Sequence, residues 1–308
     1  MLSRARKWAQ AACWAVVVAM TLPVHAAEEG SVLVLGRISD DPSAHYAQLK
    51  PLLDYVVPRM RDVGITEGRI LMARDAQQMA SYLRRNRVDW VTETASTAVQ
   101  LEQRAAAKPI LLTERSGVSR YHTVFFARKD SPIQTLEDLR GHTLALQSAA
   151  STSAYMVPLV ELLEAGQSPE ILLGPSDEPS PDRVGYVFAR SELNIASWVH
   201  KGLADAGAVS DLDWNDPRRF PEAFRRDFRV IHETAPYPRA LELVRAGMRP
   251  EVEARLREVL LNAAEDPEAG EALRQFFGTS RFLPLDRESG RALDVLRAGT
   301  RRVRTEVE

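Results

Sequence analysis

Short β-branched runs alternate with helix-spaced apolar residues along most of the chain, and this alternation limits the possible folds more than any other feature. "SVLVLGRIS" (31–39) predicts a strand that ends in a polar loop. Tyr46, Leu49, Leu53, Val56 and Met60 then recur at helical spacing up to Gly64, with Pro51 and Pro58 interrupting the pattern. "RILMARD", "DWVTETAS" and "KPILLTER" predict further strands, separated by helix-like "AQQMASYLRRNRV" and "AVQLEQRAA". This order fits a mostly parallel sheet flanked by helices, because parallel neighbours need a crossover of helical length.

The pattern then repeats. "HTVFFARKD", "HTLALQS", "VGYVFAR" and "AGAVSD" predict strands, and "STSAYMVPLVELLEAG" and "LNIASWVHKGL" predict helices. "FRVIHET" is the expected return strand, and the remaining C-terminal part, "RPEVEARLREVLLNAA", "PEAGEALRQFF" and "RESGRALDVLRAGTRRVR", reads as helical. The expected fold is therefore α/β, with two units and two chain crossings, near Ala127 and near Arg229. Residues 27–127 form the first lobe, 128–228 the second, and 229–308 return to the first and add C-terminal helices.

The N-terminus carries a targeting signal. Arg4, Arg6 and Lys7 precede the apolar run from Ala11 to Leu22, and Val24 to Ala26 supply small residues for cleavage after position 26. The apolar run is short for a membrane span, so export is expected, with a periplasmic location. The only cysteine, Cys13, lies ahead of most of the apolar run, where a lipoprotein cysteine would follow it. Cleavage removes Cys13 and three basic residues, so the mature chain has no disulfide and a formal charge more negative than −2. It must be held by ordinary core burial, and its acidity gives no bulk attraction for nucleic acid.

Catalytic signatures are missing. Histidines 45, 122, 142, 200 and 232 are scattered, and there is no HExxH motif, no G-x-S-x-G elbow and no Walker loop. No enzyme activity, metal or cofactor is expected.

One stretch does carry chemistry. Ser151, Thr152 and Ser153 precede an apolar helical run in which Met156, Leu159, Val160 and Leu163 share a face, with Pro158 expected to bend it. A helix start has unpaired backbone N–H groups and partial positive charge, and Ser and Thr hydroxyls can also donate. The cluster is either a plain helix cap or a neutral cradle for an anion.

The surrounding segment resembles the periplasmic binding proteins of phosphonate, phosphite and phosphate ABC transporters. The similarity runs through Arg128, Asp130, Ser131, Pro132, Ile133, Leu136, Asp138, Leu139 and Gly141 to Ser151, Thr152 and Ser153. Tyr46, the pair Val88–Asp89, and Gly202 with Asp205 to Val209 extend it over nearly the whole mature chain. Ala154 stands where the family has glycine, which adds a methyl near a ligand oxygen. "ARSELNIASWV", with Ser191, Glu192 and Asn194, replaces a histidine-containing segment that contributes ligand contacts. "TETAS" (92–96) replaces an aromatic of the first lobe.

The resemblance implies a type II periplasmic-binding-protein-like fold, with each lobe a mostly parallel sheet and the ligand between lobes. It implies a monomeric solute-binding component of an ABC importer that binds a small phosphorus oxyanion by hinge closure and delivers it to a membrane permease. A ligand sensor that reports to a signalling receptor is the alternative; a biosynthetic enzyme on the same fold ranks third. Ser151, Thr152 and Ser153 would hold the oxyanion. Tyr121, which opens a strand, is placed at the cleft by the resemblance. Tyr46 either lies over the cleft or is the first core residue of its helix. Thr94 and Ser96 end a strand at the carboxyl edge, where ligands of α/β sheets bind, or are ordinary loop residues. Asp205 either selects a protonated or amino-substituted anion or is a turn aspartate. Trp198 and Trp214 have no assigned role.

Overall fold

The computed structural model describes residues 30–308; the expected signal sequence lies outside them. Its first half runs β1 (Val32–Ile38), α1 (Pro42–Val56), β2 (Glu67–Ala73), α2 (Ala76–Arg84), β3 (Trp90–Glu93), α3 (Ala95–Ala105), β4 (Lys108–Arg115) and β5 (Arg120–Tyr121). It continues through β6 (Thr123–Arg128), β7 (Thr143–Leu146), α4 (Val157–Glu164), β8 (Pro169–Ile171), β9 (Val184–Phe188), α5 (Glu192–His200) and β10 (Ala206–Ser210). Then come α6 (Asp211–Trp214), α7 (Glu222–Arg225), β11 (Phe228–Glu233), β12 (Tyr237–Pro238), β13 (Leu241–Val244), α8 (Pro250–Asn262), α9 (Gly270–Gln275), β14 (Thr279–Leu283) and α10 (Arg287–Glu306).

These strands build two six-stranded sheets, ordered β14-β4-β13-β3-β1-β2 and β11-β6-β10-β7-β9-β8. Both are mixed. In the first, β1 runs parallel to β2 and β3, while β13 lies antiparallel between β3 and β4. In the second, β7, β8, β9 and β10 are parallel, and β6 pairs antiparallel with β10 and β11. Each sheet is covered on both faces, as strict alternation along its strands requires. Trp90 and Val91 enter separate clusters on opposite faces of the first sheet. Phe125 and Phe126 do the same in the second.

The crossings differ from those expected. Ala127 lies inside β6 and Arg229 inside β11, and the two are register partners in the second sheet. The chain passes between sheets at β5 and β12, a two-residue ladder that pairs Tyr121 with Tyr237 and Arg120 with Pro238. Such a ladder leaves no periodicity to read.

"FRVIHET" accordingly belongs to the second sheet, and the return strand is β13. Its sequence, LELV, is disguised by the central Glu242, which is fully buried. That carboxylate accepts hydrogen bonds from Trp90 Nε1 at 2.5 Å, Thr92 Oγ1 at 2.8 Å and Thr113 Oγ1 at 2.6 Å. Three donors offset much of the desolvation cost. The C-terminal region is also not all helical, because β14 joins the edge of the first sheet against β4.

Helix α10 spans both units. Leu293 and Leu296 pack in a core cluster of the first sheet, and Val303 in one of the second. Arg297 pairs with Glu102 at 2.5 Å, and the Tyr155 hydroxyl donates to the Glu308 carboxylate at 3.1 Å. No helix among the described residues is long and apolar enough to cross a membrane.

Candidate functional site

A cleft of about 430 Å³ opens between the two sheets. Ile38, Ser39 and Asp40 reach it from the carboxyl end of β1, and Glu93 and Thr94 from that of β3. Gln147 and Ser148 follow β7, Asp213 follows β10, and Tyr121 and Arg239 come from the crossing segments. The carboxyl edges of parallel strands thus converge on one space, where α/β sheets hold ligands.

Ser151, Thr152 and Ser153 line this cleft, and the Ser151 and Thr152 hydroxyls are already engaged. Residues 152–156 form a π-helical turn that leads into α4, with Ser151 as its N-cap. The Ser151 hydroxyl oxygen accepts the Ala154 N–H at 3.0 Å, which leaves its proton free to donate. The Thr152 oxygen accepts the Ser96 N–H at 3.1 Å and lies 2.7 Å from Ser96 Oγ. The Ser153 carbonyl accepts the Thr123 hydroxyl at 2.9 Å, and that hydroxyl lies 2.7 Å from the Tyr237 phenol. Capping and cradle are therefore compatible roles of one turn. Thr152 and Ser153, at its start, have no intrahelical acceptor for their backbone N–H groups.

The other expected residues divide. Tyr121 and Thr94 line the cleft. Tyr121 is buried, which raises its pKa, and its ring meets Tyr237 edge-on at 4.8 Å. Ser96 is buried beneath Thr152 and does not line the cleft. Tyr46 is 47% exposed on α1 and is neither over the cleft nor in the core; its neighbour His45 lines the cleft instead. Asp205 lies at the amino end of β10, the far edge of the second sheet from the cleft, where it accepts the Thr143 N–H at 2.9 Å. Asp213, beyond the carboxyl end of the same strand, is the aspartate in the cleft. Glu192 lines it too, whereas Asn194 Nδ2 donates to the Ala189 carbonyl at 2.8 Å. Ala154 does not line the cleft: the residue is 1% exposed and packs in the core with Phe126 and Ile195. Trp214 packs on Phe126 and Phe220 in the same region.

Charged residues supply what the sequence did not show. Arg37, Arg74, Arg219 and Arg239 line the cleft beside Asp40, Glu93, Glu192 and Asp213. Arg37 Nη1 bonds Glu93 at 2.9 Å and the Thr92 carbonyl at 2.8 Å. Arg219 bridges Glu192 at 3.1 Å and Asp213 at 2.7 Å. Burial, and secondarily Asp213, raises the pKa of Glu192. Burial, and then the charge of Arg37, lowers that of His45, whose Nδ1 is 2.6 Å from Ser39 Oγ. Arg239 is different. Its guanidinium lies over the Tyr121 ring at 5.0 Å, its Nε has no hydrogen-bond partner, and it has no carboxylate partner among the described residues. Only its position at the strand-end segment "YPRA" could have marked it, and that needs knowledge of where the chain crosses.

No group of His, Cys, Asp and Glu side chains among the described residues could hold a metal ion. A two-lobed α/β protein with a polar cleft between its sheets, lined by hydroxyls, arginines and carboxylates, has the architecture of a solute-binding protein. Residues 36–289 match the family model "ABC transporter, phosphonate, periplasmic substrate-binding protein". The chain belongs to that family, which consists of binding components of transporters and acts in the periplasm.

Solved structures agree. XAC2383 from Xanthomonas citri, solved bound to chloride, is 60% identical, with a TM-score of 0.84 over 89% of this chain and 99% of that one. The same protein was solved bound to ATP, at 59% identity and a TM-score of 0.84 over 90% of this chain and 100% of that one. PhnD1 from Prochlorococcus marinus, in complex with methylphosphonate, shares the fold at 17% identity, with a TM-score of 0.62 over 89% of this chain and 99% of that one.

Proposed function

We propose that this protein binds a phosphorus oxyanion, either as phosphonate, phosphite or phosphate or as the charged end of a larger molecule, and presents it to an ABC permease. The observation that carries this reading is Arg239. A guanidinium with no carboxylate partner among the described residues sits in the cleft over Tyr121, and Ser151, Thr152 and Ser153 of the hydroxyl turn line the same cleft. A cation and a helix start that line one cleft make a two-sided anion site.

Family membership supports the phosphorus chemistry and the permease. The cleft volume leaves room for a substituent, and the ATP-bound relative at 59% identity makes nucleotides part of the candidate range. The lobes would close about the β5–β12 ladder, burying the anion and reporting occupancy to the partner.

Calorimetric titration of the mature chain, stripped of ligand by unfolding and refolding, tests this. The panel comprises phosphate, phosphite, methylphosphonate, 2-aminoethylphosphonate, ATP, sulfate and taurine. Micromolar or tighter binding of a phosphorus anion, weakened by Arg239→Met and by Ser151→Ala, is the expected result. Silence across the panel from folded protein, or preference for sulfate or taurine, overturns it.

A further inference from the structure

Phe277 lies far along the chain from every residue of the cleft and does not line it. Yet three cleft-side groups converge on its ring. The Arg37 guanidinium carbon lies 5.0 Å from the ring centroid and that of Arg115 at 4.6 Å. The His45 ring is 5.7 Å away. Arg37 and His45 line the cleft, whereas Arg115 is buried behind them.

The backbone that delivers this ring is unusual. Phe277 has φ 55°, and Gly278 follows with φ 66°. A bulky residue rarely adopts the left-handed region, and such strain persists only where the surroundings fix it. Here they do. The Phe276 ring is fully buried in the core, and the Ser116 N–H donates to the Gly278 carbonyl at 2.7 Å. The left-handed step lets consecutive aromatics part, Phe276 into the core and Phe277 toward the arginines.

Arg37 needs such support. Its Nη1 is held by Glu93 and the Thr92 carbonyl, but its Nε is buried with no hydrogen-bond partner. A guanidinium packed over an aromatic ring gains cation–π attraction and loses less rotamer freedom when an anion arrives. We propose that Phe277 is a positioning residue that holds Arg37 in its anion-binding geometry, so that the loop between α9 and β14 sets the anion affinity of the first lobe. This rests on the oxyanion reading of the cleft and adds to it an arm opposite the Ser151–Ser153 turn.

Calorimetric titration with inorganic phosphate, methylphosphonate and ATP tests it on Phe277→Leu, Phe277→Met, Phe277→Trp, Arg37→Met and the Phe277→Leu/Arg37→Met pair, each checked for folding by its thermal melt. Either ring-deleting variant that folds should weaken the best-bound probe roughly tenfold, whereas Phe277→Trp stays within about threefold of the parent. Phe277→Leu should add nothing once Arg37 is Met, which a merely structural role would not produce. Ring deletion that leaves affinity within about twofold, or a full loss that persists on the Arg37→Met background, overturns the proposal. Undiminished binding by Arg37→Met overturns it while leaving the oxyanion reading intact. Failure of the parent to bind any probe overturns both.

Discussion

The hydroxyl oxygen of Thr152 accepts the backbone N–H of Ser96 at 3.1 Å and lies 2.7 Å from that residue's own hydroxyl oxygen. The contact joins the turn before α4 in the second lobe to the start of α3 in the first, and both residues are buried. Thr152→Val keeps the shape, removes the hydroxyl and leaves the Ser96 N–H unpaired. It should destabilise the protein by about 1–3 kcal/mol, lowering Tm by several degrees. Ser151→Ala should lower anion affinity more and stability less. Thermal unfolding and titration of the two variants, side by side, check this division.

Arg239 predicts the opposite balance. A half-buried cation without a carboxylate partner, its Nε buried and unpaired, costs some desolvation in the unliganded protein. Arg239→Met should leave the ligand-free Tm equal or higher and weaken oxyanion binding by roughly 2–4 kcal/mol. A fall in both together would assign the side chain to the fold instead.

Glu242 predicts a pH dependence of stability. Burial raises its pKa above the ordinary 4.5, although Thr113, Thr92 and Trp90 donate to it. A raised folded pKa means that the folded state binds more protons, so the associated stability is present below pH 4.5 and is lost as pH rises through the folded value. Compared with Glu242→Gln, the parent should lose stability as pH rises from 4.5 toward neutrality. Denaturant midpoints of both proteins across that range measure it.

Two glycines of α10 should respond oppositely to alanine. A Cβ at Gly299 would lie 2.5 Å from Val160 Cγ2 and 2.6 Å from Cγ1, whereas one at Gly290 meets nothing within 4 Å. Val160 is β-branched and buried, so it cannot swing aside. Gly299→Ala should cost about 1–3 kcal/mol, and Gly290→Ala should stabilise by about 0.5–1 kcal/mol. Melting temperatures of the two variants test whether α10 fastens both lobes at that point.

The sequence by itself determined the α/β alternation and the helix start at Ser151–Ser153, because these depend on local patterns, whereas the place of Tyr121 at the cleft came from the family resemblance. Alternation of strand and helix periods is a short-range property, and a helix start presents its N–H groups whatever lies around it. Only the tertiary structure decided which strands share a sheet. Ala127 and Arg229, the expected crossings, are paired neighbours, and the return strand is LELV, whose Glu242 is buried among three donors. The charged side of the cleft was hidden for the same reason. Arg37, Arg239, Glu192 and Asp213 stand far apart in sequence and meet only because strand ends from both sheets converge. Asp205 and Asp213 flank one strand, and only the direction of β10 tells which faces the cleft. A carboxylate or guanidinium carries no mark of its partner in its own neighbourhood; burial and distance, which set its role, are properties of the assembled chain.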